Sequence, residues 1–281
     1  MISRREHLLN YAILIVFSLF ALYPVVGVLT TALADPGTAS GFRLSTDFHW
    51  ANFSDAWDQG HFSQYLRSSA IVAVSVVTAA TLLSILSGYA FGLMRFRGAT
   101  ALFYAFLLGL MVPVEAMVVP LYFDFRDVHI FGWSTGIQLL DTYWALILPQ
   151  IGLSVAFGTF WMRAFFLSTP RSLVEAARLD GASSWTTLWR VLVPFGRPAI
   201  LTMMVLVFMW TWNEFLLALV LVSSENRRTA PLGLAFFQGQ HTSDFTLLAA
   251  ASVIVATPVV IVYIFLQRHF IRGMLTGAVK G

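Results

Sequence analysis

Two carboxylates stand where charge is expensive. Glu115 and Glu214 each lie inside a long apolar stretch, Ala99–Phe123 and Pro198–Ser223. An ionisable group at membrane depth usually faces a partner or a water-filled cavity. Each acid comes sixteen residues after the start of its stretch. At about 1.5 Å per helical residue, both lie roughly 24 Å from the same membrane face. Acids at matching depth suggest one polar layer lining a passage. The plainer reading gives each a neighbouring Arg, a backbone amide or the outer headgroups as partner. Trp210, Asn213 and Phe215 accompany Glu214. Aromatic faces beside an amide and a carboxylate suit a sugar-like solute, whose CH faces stack and whose hydroxyls hydrogen-bond.

Other chemistry is excluded by composition. The chain has no cysteine, which removes disulfides, zinc–cysteine sites and thiol catalysis. Its six histidines are scattered and form no HExxH or triad-like cluster. Lys280 is the single lysine and Gly281 follows it, so no Gly-Lys-Ser/Thr phosphate loop exists. This chain is therefore not expected to be an enzyme. ATP and its Mg ion, if used, belong to a partner, and no cofactor or metal is expected here.

The elements that position the acids follow from composition. Of 281 residues, 58% are hydrophobic and 11% charged, where a soluble domain carries roughly a quarter charged. Six apolar stretches run Leu8–Leu33, Ser68–Met94, Ala99–Phe123, Tyr143–Met162, Pro198–Ser223 and Phe245–Gln267. Each can cross a hydrocarbon core of about 30 Å. Backbone in lipid must satisfy itself, so each is expected to be a helix. The first stretch, with Arg4-Arg5 before it and Ala32-Leu33-Ala34 after it, also resembles a signal peptide, but its apolar run is longer than such peptides use. The expectation is an all-α polytopic membrane protein of six spans. Residues 1–7 form a cytoplasmic tail, and residues 8–281 form one transmembrane domain.

Charge sets the orientation. Only Arg43, Arg67, Arg126, Arg227 and Arg228, of 17 basic residues, fall on one side of the six-span scheme. The positive-inside rule then puts both termini in the cytoplasm. The loop Ala34–Arg67 is expected to cap the outer surface. Trp144 and Trp161, at the ends of the fourth stretch, read as interfacial anchors.

Ala80, Ser84, Gly88 and Gly92 recur every four residues. Such a stripe lets helix backbones approach closely, within the chain or against a second membrane subunit. Pro113 and Pro120 should kink or open the third stretch.

The longest cytoplasmic loop, residues 168–197, carries its own helix signals. Ser172 and Glu175 have capping-box spacing, and Thr169-Pro170 offers another helix start. Gly181 permits a turn that a side chain would resist. Trp185, Leu188, Trp189 and Leu192 share one face of a second helix, closed by Pro194 and Pro198. The result is a helix–turn–helix at the membrane surface with charges available to a partner.

Within this loop, Glu175-Ala176-Ala177, Asp180-Gly181-Ala182 and Pro194 resemble the EAA loop of permease subunits in binding-protein-dependent ABC importers. The likeness is greatest to the MalG-like sugar permeases of the maltose-transporter type. It extends through Gly88-Tyr89-Ala90-Phe91, Val119-Pro120-Leu121-Tyr122, Trp212-Asn213-Glu214-Phe215 and Gly277-Ala278-Val279-Lys280-Gly281. Leu188 departs from the family's usual Phe but keeps the apolar face. The resemblance implies a type I importer bundle in the bacterial cytoplasmic membrane. It implies a coupling loop seated on a cytoplasmic ATPase, with Glu175 facing a basic residue there and Gly181 permitting the bend. Lys280-Gly281 would reach the same ATPase. The implied partners are a second related permease, two ATPase subunits, an extracytoplasmic sugar-binding protein, the lipid bilayer and a carbohydrate; nucleic acid is not among them. The rival from another class is a stand-alone secondary transporter or channel working through Glu115 and Glu214.

Overall fold

The structure is a computed structural model and describes residues 4–35, 48–130, 133–237 and 244–278. Lys280 and Gly281 lie outside the described residues. The chain is almost entirely helical. The long helices are α1 (Arg4–Ala32), α3 (Phe62–Leu93), α6 (Tyr143–Ser168) and α11 (Phe245–Ala278). Between them lie α2 (Ala51–Gln59), α4 (Ala99–Leu108), α5 (Val114–Arg126), α7 (Arg171–Leu179), α8 (Ser184–Phe195), α9 (Arg197–Trp212) and α10 (Leu216–Leu221). A two-residue antiparallel pair, β1 (His129–Ile130) with β2 (Trp133–Ser134), joins α5 to α6.

The all-α expectation holds, but six continuous spans are not found. Among the described residues four helices are long and apolar enough to cross a membrane, α1, α3, α6 and α11 over Phe245–Gln267. The pair α8 and α9, bent by 78°, passes the same test only if the two are counted as one span. The third expected span is broken: α4 ends at Leu108, and α5 starts only after Pro113, whose backbone is extended. Proline cannot donate the helical hydrogen bond and clashes with the turn before it. The fifth expected span also breaks, at Asn213–Phe215 between α9 and α10.

The contacts divide the chain into two units, residues 1–63 with 232–258 and residues 64–231 with 259–281. In the first, α1 exposes apolar side chains along its length, from Leu8 to Val28. Its C-terminal end is tied to α2, where the buried Asn52 amide donates to the carbonyls of Ala32 (3.0 Å) and Ala34 (2.8 Å). Within the described part of 34–67 the chain forms the short helix α2. Phe62 stacks on Phe237.

In the second unit α6 is central, and α4, α9 and α10 pack on it. The small-residue stripe of α3 faces α6 of the same chain. A Cβ on Gly88 would sit 2.5 Å from that of Met162, and one on Gly92 would sit 2.9 Å from that of Phe166. Gly158 on α6 fits against Ser84 in return. Ser87 and Thr159 hydrogen-bond at 2.6 Å, and Arg163 donates to the Phe91 carbonyl while covering the Phe103 ring. Trp161 donates its indole N–H to the Ala199 carbonyl at 3.0 Å. It is a tie between α6 and α9, and Trp144 is exposed at the opposite end of α6.

Candidate functional site

Two places matter, and α9 joins them. The first is the surface loop. α7 starts directly after Thr169-Pro170, with no side-chain cap, so the capping box expected from Ser172 and Glu175 does not form. Glu175 is exposed and makes no hydrogen bond or ion pair among the described residues. Ala176 is exposed beside it and Ala177 is buried.

The motif residues that follow build the helix stop. Gly181 has φ +77°, the left-handed region that glycine enters without cost. Its N–H bonds to the Arg178 carbonyl at 3.0 Å, and the Ala182 N–H reaches back to the Ala177 carbonyl at 2.9 Å. This is a Schellman ending, with Asp180 at the C-cap. Ala177, Asp180, Gly181 and Ala182 thus owe their spacing to one termination motif.

Ser183 then caps α8 by accepting from the Thr186 N–H at 3.2 Å. The regular amphipathic helix expected here contains a π-helical turn, Thr187–Leu192. Leu188 and Leu192 are buried as the face predicts, but Trp185 stands out from it, touching Trp189 edge-on. Leu179 is 88% exposed just before the turn. The loop therefore presents apolar Leu179 and Trp185 amid Glu175, Arg178 and Asp180. Tyr89 holds it to α3 by donating to the Ser184 carbonyl. Pro194 is exposed in the last turn of α8, and Gly196 follows, packed against the Phe165 ring where the chain bends into α9.

The second place is a cavity of about 290 Å³ where both helix breaks meet α6. Leu110 and Val112 come from the first break, and Trp210, Thr211 and Glu214 from the second. α6 contributes Gln150, Ser154 and Phe157. Phe157 and Trp210 form a near-perpendicular aromatic corner, with centroids 4.7 Å apart. Gln150, Ser154 and Thr211 are buried.

Glu214 lines this cavity and also restarts the helix. One carboxylate oxygen accepts from the Leu217 N–H at 2.8 Å and the other from the Ala218 N–H at 3.3 Å. An acid at a helix start satisfies donors that have no partner in the helix. The backbone amide named as a possible partner is the one found, and cavity lining and capping coexist.

The remaining candidates separate. Glu115 is exposed in the first turn of α5 and does not line the cavity. Asn213 caps α9 by donating to the Met209 carbonyl at 2.7 Å, and Phe215 is exposed; neither lines the cavity. Gln150, Ser154, Phe157 and Thr211 were missed. A signal existed, since Gln150, Ser154 and Phe157 fall at i, i+4 and i+7 on one helical face.

At the other end of α6 lies a polar knot. Asp141 accepts from the backbone N–H groups of Ser223 (3.0 Å) and Ser224 (2.8 Å), from the Ser224 hydroxyl and from Arg227. Burial pushes this carboxyl up, but the bonds from Ser224 and Ser223 and the Arg227 charge outweigh it and hold it below the ordinary carboxylate range. Nearby, Ser68 and Tyr143 share a hydrogen bond of 3.0 Å, and Ser69 accepts from the Ala230 N–H at 2.8 Å.

Residues 80–276 match the family described as the binding-protein-dependent transport system inner membrane component. The probable ABC transporter permease protein YurM of Bacillus subtilis is 32% identical over 92% of this chain and 84% of its own length. The trehalose/maltose transport system permease protein MalG of Thermococcus litoralis is 30% identical over 99% of both. Among solved structures, a bacterial ABC transporter involved in the import of the acidic polysaccharide alginate superposes with a TM-score of 0.77 at 23% identity, covering 96% of this chain and 99% of that one. That likeness concerns the fold. The chain belongs to the family of inner membrane components of binding-protein-dependent transport systems, as a non-catalytic ABC permease subunit whose ATPase is a separate chain.

Proposed function

We propose that this chain forms half of the pathway of an ATP-driven importer for a mono-, di- or oligosaccharide or a sugar derivative. The observation that carries this is the continuity of the surface loop with the cavity. α8 turns at Gly196 directly into α9, and α9 delivers Trp210 and Thr211, with Glu214 just beyond its end, to the cavity wall. A displacement of the loop therefore moves that wall as part of the same chain. Sugar permeases such as the diacetylchitobiose uptake protein NgcG of Streptomyces coelicolor, 30% identical over 99% of this chain, support a carbohydrate as solute.

In this reading an extracytoplasmic binding protein delivers the sugar, and a second related permease supplies the other half of the path. Two ATPase subunits hold ATP and Mg and seat the loop 175–194, with exposed Glu175, Leu179 and Trp185 as its contact groups. Lys280 and Gly281 would add a tail contact with the same subunits. In this reading the breaks at 109–113 and 213–215 each belong to one crossing, giving a single transmembrane domain of six crossings with both termini on one side, and the excess of basic residues on that side makes it the cytoplasmic one. The test is ATP-driven sugar uptake by a Glu175→Lys variant. Uptake should fall while the protein remains in the membrane; wild-type uptake would contradict docking through this loop.

A further inference from the structure

The cavity at the two helix breaks has a size and a charge that go beyond what a permease requires. Its volume of about 290 Å³ lies at the small end of the roughly 300–1,000 Å³ typical of ligand sites. That is room for about one sugar ring at a time, and the cavity is open on one side, so the rest of a longer saccharide can lie outside it. Irregular backbone at membrane depth is tolerated where it lines a cavity, and broken helices of this kind form solute sites in transporters. Here two such breaks meet in one place.

The lining matches the chemistry of a sugar ring. Phe157 and Trp210 set two aromatic faces at 74°, against which the apolar CH face of a pyranose can stack. Ser154 and Thr211 are buried, and their hydroxyls have no hydrogen-bond partner among the described residues. Gln150 donates to the Leu146 carbonyl at 2.9 Å, which turns its amide within its own helix and leaves the carbonyl oxygen as an acceptor. These groups suit ring hydroxyls, each both donor and acceptor.

The charge is one-sided. Glu214 is the single ionisable residue in the lining, and no Arg, Lys or His lines the cavity among the described residues. Its carboxylate is fixed by the N–H groups of Leu217 and Ala218, so it cannot swing away from an incoming solute. An anionic sugar would meet this charge with no cation in the lining to offset it.

We infer that this subunit itself binds one neutral pyranose ring in the cavity lined by Gln150, Ser154, Phe157, Trp210 and Thr211, and that Glu214 turns away saccharides bearing acid groups. The inference rests on the permease reading and goes further, because the path could exist with all solute contacts on the partner permease.

The experiment uses the full chain assembled with its membrane and ATPase partners in lipid nanodiscs, without the binding protein. Maltose serves as the neutral probe and a mannuronate disaccharide as the anionic one, with binding read by saturation-transfer NMR. Maltose should bind, and Ser154→Leu, which fills the cavity, should weaken it by about tenfold or more. Mannuronate should bind the wild type about tenfold more weakly than maltose, and Glu214→Gln should close most of that gap. Gln150→Lys places a cation in the lining without disturbing the α10 cap, and it should favour mannuronate. Maltose binding unaffected by Ser154→Leu would put the sugar elsewhere and overturn the subsite. Equal binding of both probes to the wild type would overturn the charge filter. In either case, ATP-driven uptake by the same proteins in sealed proteoliposomes with the binding protein added would leave the permease reading standing; its absence for every sugar would defeat that reading instead.

Discussion

The two ends of α6 are built in opposite ways. At the Tyr143 end, Asp141, Ser68, Ser69, Ser224 and Arg227 bond to one another and to the local backbone. At the Ser168 end, the loop 171–195 turns Glu175, Leu179 and Trp185 outward. One end satisfies its polar groups within the chain, which fixes α3, α6 and the segment after α10 to each other. The other satisfies its backbone through a Schellman stop and a Ser183 cap and leaves its side chains unspent. A buried polar group without a partner is costly, so a closed network stabilises. An exposed apolar residue beside exposed charges adds little to stability and is available to a partner. The first end is framework, and the second is contact surface.

The comparison can be broken most forcefully in the packing that both ends share. Gly88→Leu forces a side chain into the backbone of α6 at Met162 and Arg163, and it should cost about 3 kcal/mol or lose the folded protein altogether. Membrane-inserted protein level and thermal unfolding in detergent read this out. A near-normal variant would mean that α3 does not pack on α6 as described.

The closed end gives the next largest effect. Asp141→Asn should cost about 1–2 kcal/mol by weakening bonds to a charged acceptor. The effect has a pH signature. Because the folded carboxyl is held below the ordinary range, its stabilisation is full above about pH 4 and disappears as pH falls through the lower folded value. Melting curves of wild type and variant should therefore separate at neutral pH and converge in acid. A constant separation would remove the charge from the explanation.

The open end should respond less in stability and more in transport. Gly181→Ala strains a left-handed residue and should cost about 1 kcal/mol, spoiling the stop of α7. Glu175→Gln should change stability by less than about 0.5 kcal/mol, yet reduce ATP-driven uptake. If Glu175→Gln destabilised the protein as much as Asp141→Asn does, the contrast between the two ends would fail.

Sequence and structure agree where chemistry is local. The spacing from Ala177 to Ala182 lies within one helix end, so Gly181 could be read directly as a turn. Pro113 was legible as a break because proline acts on its own backbone. The break at Asn213–Phe215 has no proline or glycine to mark it. It is held by the Glu214 carboxylate reaching forward to Leu217 and Ala218, a local cap that the apolar run on both sides hides. Equal residue counts to Glu115 and Glu214 assume continuous helices; with the break before α5, Glu115 stands in the first turn of that helix and outside the cavity lining. The cavity itself joins residues 109–114, 150–157 and 210–217, so its composition shows only once those segments are folded together. The π turn at 187–192 left no sign in the apolar pattern, since Leu188 and Leu192 are buried in either geometry.

The absence of cysteine makes one direct measurement possible, because a single introduced thiol is unique in this chain. A photo-crosslinker placed at Leu179→Cys, at the exposed end of α7, and one at Ser134→Cys, beyond the opposite end of α6, can be compared in native membranes. The probe at 179 should capture a chain that binds ATP, and the probe at 134 should not. Capture of the ATP-binding chain from 134, or none from 179 while uptake persists, would contradict docking through this loop.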